Sequence, residues 1–285
     1  MNEAIEAAIP QVASVDEGRL ADGVFYRHWR PQASARAVIL LVHGLGEHSG
    51  RYDDFGRFFS EQGVAVVAPD HLGHGESPGV RAHIGSFAEF INPLDELREA
   101  IGRWYPEAPC FLVGHSMGGL ICARYLLDRQ DWFEGAVLSA SALQAATPPS
   151  AGSLMIIRLM TLIWPTLGVM QLDPAQVSRD PEVVQRYIDD PLVHSGKISA
   201  GLAHALFQTM AEVAAGSNSI RLPVLVMHGA ADAMTTPAGS EAFYEAVSSS
   251  DKRLRIYPQL YHEIFNEPER LQVLAELRDW IVERV

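Results

Sequence analysis

Cysteine and basic residues are both scarce in this sequence. Only two cysteines, Cys110 and Cys122, occur among 285 residues. A disulfide-stapled secreted domain needs several cysteines in a short chain, so the composition excludes that class. Lys and Arg number 22 against 35 Asp and Glu, which gives a formal net charge of −13. Because such a chain is repelled by nucleic-acid phosphates, we expect no nucleic-acid partner.

Long uninterrupted apolar runs and a secretory signal are also missing. The most apolar stretch, at residues 154–172, contains Arg158, Pro165 and Gly168, whereas a membrane span needs about 20 apolar residues in a row. Residues 1–6 are acidic and lack the basic and then apolar layout of a secretory signal. We therefore expect a cytoplasmic protein, either free or resting on a membrane surface.

Cofactor motifs are absent as well. Gly44 and Gly46 lack the third glycine of a dinucleotide-binding loop, and no phosphate-binding Gly-x-x-x-x-Gly-Lys-Ser/Thr sequence occurs. His262 and Glu263 begin like a zinc-protease motif, but Asn266 stands where the second histidine would be. The sequence therefore predicts neither a metal nor any other cofactor.

Short apolar runs alternate with longer helical segments along the chain. A hairpin is predicted from residues 12–15 and 24–29. The continuous apolar run at 38–42 then predicts a strand covered on both faces, and further strand-like runs lie at 64–68, 110–113, 136–138, 224–227 and 254–257. Several intervals between these runs, such as 87–104, are helical in pattern and too long for hairpin turns. This alternation predicts an α/β fold with a mostly parallel, doubly wound sheet.

The interval 145–219 breaks the alternation. It contains no strand-like run, and four of its apolar residues are spaced to share one helix face: Leu202, Leu206, Met210 and Val213. We predict a helical cap over the carboxyl edge of the sheet, inserted between a first core segment at 1–144 and a second at 220–285.

One pentapeptide, at residues 114–118, lies between an apolar run and a helical stretch. Its sequence Gly-His-Ser-Met-Gly fits a nucleophile elbow, where the turn is so tight that flanking side chains must nearly vanish. Such a turn exposes the hydroxyl of Ser116 at the carboxyl end of the strand. An ordinary glycine-rich turn is the alternative, and the rest of the chain decides between them.

A serine hydroxyl becomes a useful nucleophile only beside a base that is itself oriented by a third group. In elbow hydrolases the acid and then the histidine follow the serine in the chain. Asp232 and His262 each follow a predicted strand directly, so both reach the same edge of the sheet as Ser116. His228 is expected to be only a hydrogen-bonded neighbour, and Glu241 falls in the next helix. The sequence thus predicts a triad of Ser116, Asp232 and His262.

Two backbone N–H groups are candidates for binding the oxyanion of an acyl-transfer reaction. One belongs to Met117, directly after the serine. The other belongs to Leu45, in the loop His43-Gly44-Leu45-Gly46 that follows the strand at 38–42, where glycine lets the backbone approach a substrate. A glycine turn without a role is the alternative.

Four segments together, at 43–52, 70–75, 114–119 and 261–262, resemble the monoacylglycerol lipase and lysophospholipase group of α/β-hydrolases. The resemblance implies that fold, the same triad and oxyanion donors, and a cap whose apolar surface docks on membranes to collect a lipid. It also implies that Glu47 and Arg51 belong to a polar network near the alcohol end of the substrate, and that Tyr187 faces the alcohol pocket. Phe265 departs from the animal members, which carry a second histidine there.

We therefore expect a serine hydrolase that cleaves monoacylglycerols to fatty acid and glycerol through an acyl-enzyme. A lysophospholipase or a broader carboxylesterase stays open, and an acyltransferase, a peptidase or a non-catalytic ligand receptor is less favoured. Candidates for the acyl channel lie in the apolar part of the cap: Leu154, Ile156, Ile157 and Leu167. The sequence makes no prediction of the oligomeric state.

Overall fold

The computed structural model of the protein describes residues 14–145 and 149–285. The acidic segment at 1–6 and the first two residues of the predicted hairpin, Val12 and Ala13, lie outside the described residues. Residues 146–148, near the start of the predicted cap, do so as well.

Within these described ranges, ten strands form a large and a small sheet. They are β1 (Ser14–Arg19), β2 (Phe25–Arg30), β3 (Ala37–Val42), β4 (Val64–Pro69), β5 (Cys110–His115), β6 (Gly135–Ser139), β7 (Gly168–Met170), β8 (Ile198–Ser199), β9 (Val224–Gly229) and β10 (Lys252–Tyr257). The large sheet has the order β1-β2-β4-β3-β5-β6-β9-β10. In this large sheet β2 pairs antiparallel with both β1 and β4, and the other neighbouring strands pair parallel. The predicted mostly parallel sheet is confirmed.

Eight α-helices accompany the strands within the described residues. They are α1 (Asp53–Ser60), α2 (Ala88–Trp104), α3 (Met117–Arg129), α4 (Ala151–Ile163), α5 (Pro181–Asp189), α6 (Ala200–Gly216), α7 (Pro237–Ala246) and α8 (Arg270–Val282). Short 3₁₀ helices occupy Ser49–Tyr52, Gln130–Trp132, Pro174–Gln176 and Ser217–Ser219.

Strand β3 explains why the central runs are continuously apolar. Every one of its six residues is buried. Val38, Leu40 and Val42 pack into the core cluster that contains α2 and α3, whereas Ile39 and Leu41 pack into the cluster that contains α1 and α8. Because successive side chains point to opposite faces and both faces carry helices, alternation with polar residues would bury unpaired polar groups.

The segment predicted to form a cap, residues 145–219, contains helices α4, α5 and α6 and also two strands. Strands β7 and β8 pair antiparallel within it. At three and two residues they are too short to produce an apolar run, so that part of the prediction was wrong. Helix α6 packs against α3 and α4, and Leu202, Leu206 and Val213 are buried on its inner face, with Met210 half-buried beside them. In the described part of the chain, no helix is both long and apolar enough to cross a bilayer.

Candidate active site

Ser116 stands at the sharp turn between β5 and α3. Its backbone has φ of 55° and ψ of −120°, a strained conformation for a residue with a side chain. A Cβ atom on Gly114 would lie 2.5 Å from the carbonyl oxygen of Gly118, and one on Gly118 would lie 2.0 Å from that of Val42. Neither flanking position can therefore carry a side chain, and the turn has the geometry of a nucleophile elbow.

His262 and Asp232 approach Ser116 from two other loops. His262 lies between β10 and α8, and its Nε2 atom is 2.8 Å from Oγ of Ser116. Asp232 follows β9, and its Oδ2 atom is 2.7 Å from Nδ1 of His262. All three side chains are buried. The structure thus brings together the three residues that the sequence singled out, whereas Glu241 lies in α7 as predicted.

The Asp232 carboxylate accepts several further hydrogen bonds. Its Oδ1 accepts the backbone N–H groups of Met234 (2.8 Å) and Thr235 (3.0 Å). Its Oδ2 lies 3.0 Å from Nε2 of His228 and accepts the hydroxyl of Thr235 at 2.9 Å. His228 is a hydrogen-bonded neighbour, as expected, and its Nδ1 lies 2.7 Å from the hydroxyl of Ser240. Sequence reasoning missed Thr235, since nothing but its place three residues after Asp232 marks it.

Burial and charge have opposite effects on the pKa values of Asp232 and His262. Burial by itself would raise the pKa of Asp232, but the His262 imidazole and hydrogen bonds from both histidines outweigh it and lower that pKa. Burial also disfavours a charged His262, yet the Asp232 carboxylate outweighs it and raises the pKa of His262 above its ordinary value. The carboxylate stays ionised, and the imidazole becomes a stronger base.

A second imidazole packs beside the catalytic candidate. The ring of His115 lies 4.8 Å from that of His262, centroid to centroid, with Nδ1 3.2 Å from the hydroxyl of Ser139. Burial and the neighbouring His262 lower the pKa of His115 to about 3. His115 therefore contributes a neutral, apolar contact to His262 and adds no competing charge.

The two residues that carry the candidate oxyanion donors lie beside the same cavity as Ser116. Leu45 and Met117 line one cavity together with Ser116 and His262. A Cβ atom on Gly44 would lie 3.1 Å from Cβ of Ser116, so glycine permits the close approach of the loop. Among the described residues, no protein acceptor bonds the N–H of Leu45 or of Met117, which leaves both free for a ligand.

This cavity has a volume of about 470 Å³ and a mostly apolar wall. Ile156 and Ile157 line it, but Leu154 and Leu167 do not, so half of the acyl-channel prediction was wrong. No Asp, Glu, Lys or Arg occurs among the described lining residues, which are Leu45, Ser116, Met117, Ala142, Gln144, Ala145, Pro149, Ser153, Ile156, Ile157, Met160, Val169, Met170, Leu172, Leu206, Phe207, Met210, Met234, Thr235 and His262.

The predicted polar network at Glu47 and Arg51 exists, but it lies outside this cavity wall. Arg51 donates to Glu47 at 2.9 Å and bidentately to Glu263 at 2.6 and 2.8 Å. The Tyr187 ring covers the guanidinium at 4.6 Å and lines a separate recess of about 10 Å³. Sequence reasoning missed Glu263, although it directly follows His262.

Phe265 lies in the position of the animal histidine and is buried against Phe55, with ring centroids 5.3 Å apart. It also packs 6.4 Å from the ring of His115. The side chain therefore supports the histidine loop by apolar packing and presents no hydrogen-bonding atom to a substrate.

Comparisons with known proteins agree with this geometry. The model of a family described as serine aminopeptidase, S33, matches residues 33–269. A monoacylglycerol lipase of Mycolicibacterium smegmatis is 39% identical over 262 residues, which are 91% of this chain and 92% of that protein. The monoglyceride lipase of Mus musculus is 34% identical, covering 93% and 89%. The crystal structure of Paleococcus ferrophilus monoacylglycerol lipase superposes with a TM-score of 0.84 at 35% identity, covering 92% and 99%. This chain belongs to the monoacylglycerol lipase-like family of α/β-hydrolases.

Proposed function

We propose that this protein is a serine hydrolase that cleaves monoacylglycerols into a free fatty acid and glycerol. The observation that carries the reaction class is the hydrogen-bonded series from Asp232 through His262 to Ser116. The substrate class is supported by the relatives, which are named monoacylglycerol or monoglyceride lipases and match about nine-tenths of the chain.

In the acylation step, Oγ of Ser116 attacks the ester carbonyl carbon while Nε2 of His262 takes the hydroxyl proton. The carbonyl oxygen becomes an oxyanion, which the N–H groups of Leu45 and Met117 bind. Losing one such donor costs about 3 kcal/mol of barrier in known enzymes. The intermediate then collapses, and His262 returns the proton to the departing glycerol oxygen.

Deacylation repeats the sequence with water as the nucleophile. His262 takes a proton from water, the hydroxide attacks the acyl carbon, and the intermediate expels Oγ of Ser116, which regains the proton. Asp232 keeps its charge throughout and holds the imidazole with Nε2 toward Ser116. The low pKa of Asp232 supports this role, since the group does not itself take up the proton.

The apolar cavity supports an acyl chain as the group bound beside Ser116. Each buried methylene contributes about 0.8 kcal/mol, so a long chain can supply most of the binding energy there. An aminopeptidase must also hold a charged α-amino group. The described lining has no carboxylate for that purpose, which favours a lipid ester over a peptide.

We also propose that residues 145–219 act as a cap and that helix α4 meets the membrane surface. Ser153, Ile156, Ile157 and Met160 on one face of α4 line the cavity. The other face carries Met155 and Leu162, which are 71% and 79% exposed, together with the exposed Arg158. Large exposed aliphatic side chains are unfavourable in water, and a bilayer, which also accommodates a basic side chain at its surface, is a suitable second surface for this face.

The function is tested with purified protein on four substrates. Three are oleoyl esters of different alcohols, namely monooleoylglycerol, oleoyl lysophosphatidylcholine and methyl oleate, and the fourth, leucine p-nitroanilide, is an aminopeptidase substrate. We expect the highest kcat/KM on monooleoylglycerol and none on the anilide. The Ser116→Ala variant should lose activity on every ester. Cleavage of the lysophospholipid alone, or full activity in Ser116→Ala, would contradict the proposal.

A further inference from the structure

Both backbone polar groups of Gly44 are held by buried side chains. The N–H of Gly44 donates to Oε1 of Glu47 at 2.6 Å. Its carbonyl oxygen lies 2.8 Å from Nδ1 of His43. A Cβ atom at Gly44 would lie 2.8 Å from Oε1 of Glu47, so the contact depends on glycine. The residue before Leu45 is thereby fixed on both sides.

The protonation of His43 follows from its second contact. Nε2 of His43 accepts the backbone N–H of His71 at 3.0 Å, so that nitrogen carries no proton. Burial holds the pKa of His43 well below its ordinary value, and the ring is neutral. Its one N–H is therefore on Nδ1 and donates to the carbonyl of Gly44.

That carbonyl shares a peptide unit with the N–H of Leu45. The described chain has no cis peptide bond, and in a trans peptide the C=O and N–H groups lie in one plane and point in opposite directions. A hydrogen bond that fixes the Gly44 carbonyl therefore also fixes the direction of the Leu45 N–H. This N–H must therefore point away from the Nδ1 atom of His43, and Leu45 itself lines the cavity that contains Ser116.

Glu47 is itself anchored rather than free to bind a substrate. Its Oε1 also accepts the hydroxyl of Tyr52 at 2.7 Å, and its Oε2 accepts Arg51. Arg51 in turn holds Glu263, the residue that follows His262. Glu47, Tyr52 and Glu263 are buried, and Arg51 is half-buried. One charged network thus joins the loop of the oxyanion donor to the loop of the histidine.

Building on the proposed function, we propose that His43 and Glu47 are positioning residues that aim the Leu45 N–H at the reacting oxygen. Glu47 then acts on the loop and not on the alcohol of the substrate. The two roles predict different substrate dependence. A residue that binds glycerol matters only for glycerol esters, whereas one that positions an oxyanion donor matters for every ester of the same acid.

The test measures kcat and KM for monodecanoylglycerol and p-nitrophenyl decanoate, which share an acyl group and differ in the alcohol. Glu47→Met and His43→Leu remove the contacts to Gly44, and we expect kcat to fall about 100-fold on both esters with KM little changed. Glu47→Gln keeps an acceptor and His43→Asn keeps a donor, so each should recover part of the loss. A loss confined to the glycerol ester would overturn the proposal.

His74→Asn is the matched control. His74 is another buried histidine of the same cluster, with its ring 5.6 Å from that of His43, but it bonds the carbonyl of Leu72 instead of Gly44. We expect kcat to stay near the wild-type value, and an equal loss in His74→Asn would overturn the proposal, because packing alone would then explain it. Where Glu47→Met or His43→Leu fails to fold, Glu47→Gln and His43→Asn decide by the same substrate comparison.

A second readout reports the oxyanion site directly. An alkyl boronic acid that forms a tetrahedral adduct with serine should bind the Glu47→Met and His43→Leu variants about 100-fold more weakly than wild type. Unchanged affinity would count against the proposal. If the wild-type protein cleaves the aryl ester but not the glycerol ester, the proposed substrate fails, while the aryl ester and the boronic acid still test the positioning role.

Discussion

Oδ2 of Asp232 lies 2.7 Å from Nδ1 of His262, on the side of the ring opposite to Ser116. A carboxylate can only accept there, so Nδ1 must carry the proton and Nε2 is left with its lone pair toward the serine hydroxyl. The distance between these two residues therefore decides which tautomer the base adopts.

We expect Asp232→Asn to lower kcat about 10⁴-fold, as the loss of the orienting carboxylate does in serine proteases. The amide also lacks the charge that stabilises the imidazolium. Steady-state kinetics on a monoacylglycerol gives the value, and a thermal unfolding curve establishes that the variant is folded. A kcat within tenfold of wild type would mean that another group orients His262.

The pH dependence of kcat/KM should show an acid limb with a midpoint above 6.5, the ordinary pKa of histidine. The reaction needs a neutral His262, and its pKa is raised by the Asp232 carboxylate against the opposing effect of burial. Activity is therefore lost as the pH falls through this raised pKa. A limb with its midpoint below 6.5 would contradict the assignment.

His228 should tune that limb from the far side of Asp232. We expect His228→Phe, which removes the donor at 3.0 Å, to make the carboxylate more basic and move the acid limb to higher pH. Removing a hydrogen bond to a charged group should also lower the free energy of unfolding by about 1.5 to 3 kcal/mol. Ser240→Ala tests the same effect indirectly, because the Ser240 hydroxyl contacts Nδ1 of His228 and its loss weakens the hold on that ring. An unmoved limb in both variants would show that His228 only packs.

The placement of the triad could be predicted because it depends on chain topology alone. Ser116, Asp232 and His262 each follow a strand of one parallel sheet, and parallel strands place their carboxyl ends at one edge. The nucleophile elbow could also be predicted from its glycines, because Gly118 lies too close to a neighbouring carbonyl to carry a side chain.

Side-chain directions in the cap could not be predicted in the same way. Helix α4 carries large apolar side chains on both its inner and its outer side, so its sequence does not tell which of them turns inward, and Leu154, a candidate for the acyl channel, does not line the cavity. The roles of Thr235 and Glu263 depend on local turn geometry and on a contact with Arg51, which is 212 positions from Glu263 in the chain. Such contacts are set by tertiary packing and leave no periodic signal.

Narrowing the cavity should shorten the preferred acyl chain. Met210 lines the cavity on α6, and we expect Met210→Trp to exclude the distal part of a long chain. Excluding about four methylenes, at about 0.8 kcal/mol each, corresponds to about a 200-fold loss of kcat/KM for the oleoyl ester. The butanoyl ester should be cleaved as before. Met155→Trp, on the outer face of α4, is the control, and an equal change in both variants would contradict the location of the acyl site.

Substitutions on the outer face of helix α4 can test contact with a bilayer without changing the catalytic residues. Met155 and Leu162 project from its outer face and do not line the cavity. We expect the double variant Met155→Glu, Leu162→Glu to lose at least tenfold in affinity for phosphatidylcholine vesicles, because each buried aliphatic side chain contributes about 1.5 to 3 kcal/mol. Hydrolysis of a water-soluble short-chain ester should stay unchanged, since Ser116 and the cavity wall are untouched.

The control for this experiment is Leu271→Glu on α8, a residue that is 64% exposed and belongs to the core rather than to the cap. It adds one negative charge, against two in the α4 variant, to a chain already at −13, so a general electrostatic effect would weaken vesicle binding in both variants, by less in the control. Loss in the α4 variant alone supports a membrane-facing cap. If wild-type protein does not sediment with vesicles, and light scattering shows a dimer that the α4 variant disrupts, the apolar face of α4 serves a second copy of the chain and the membrane proposal is wrong.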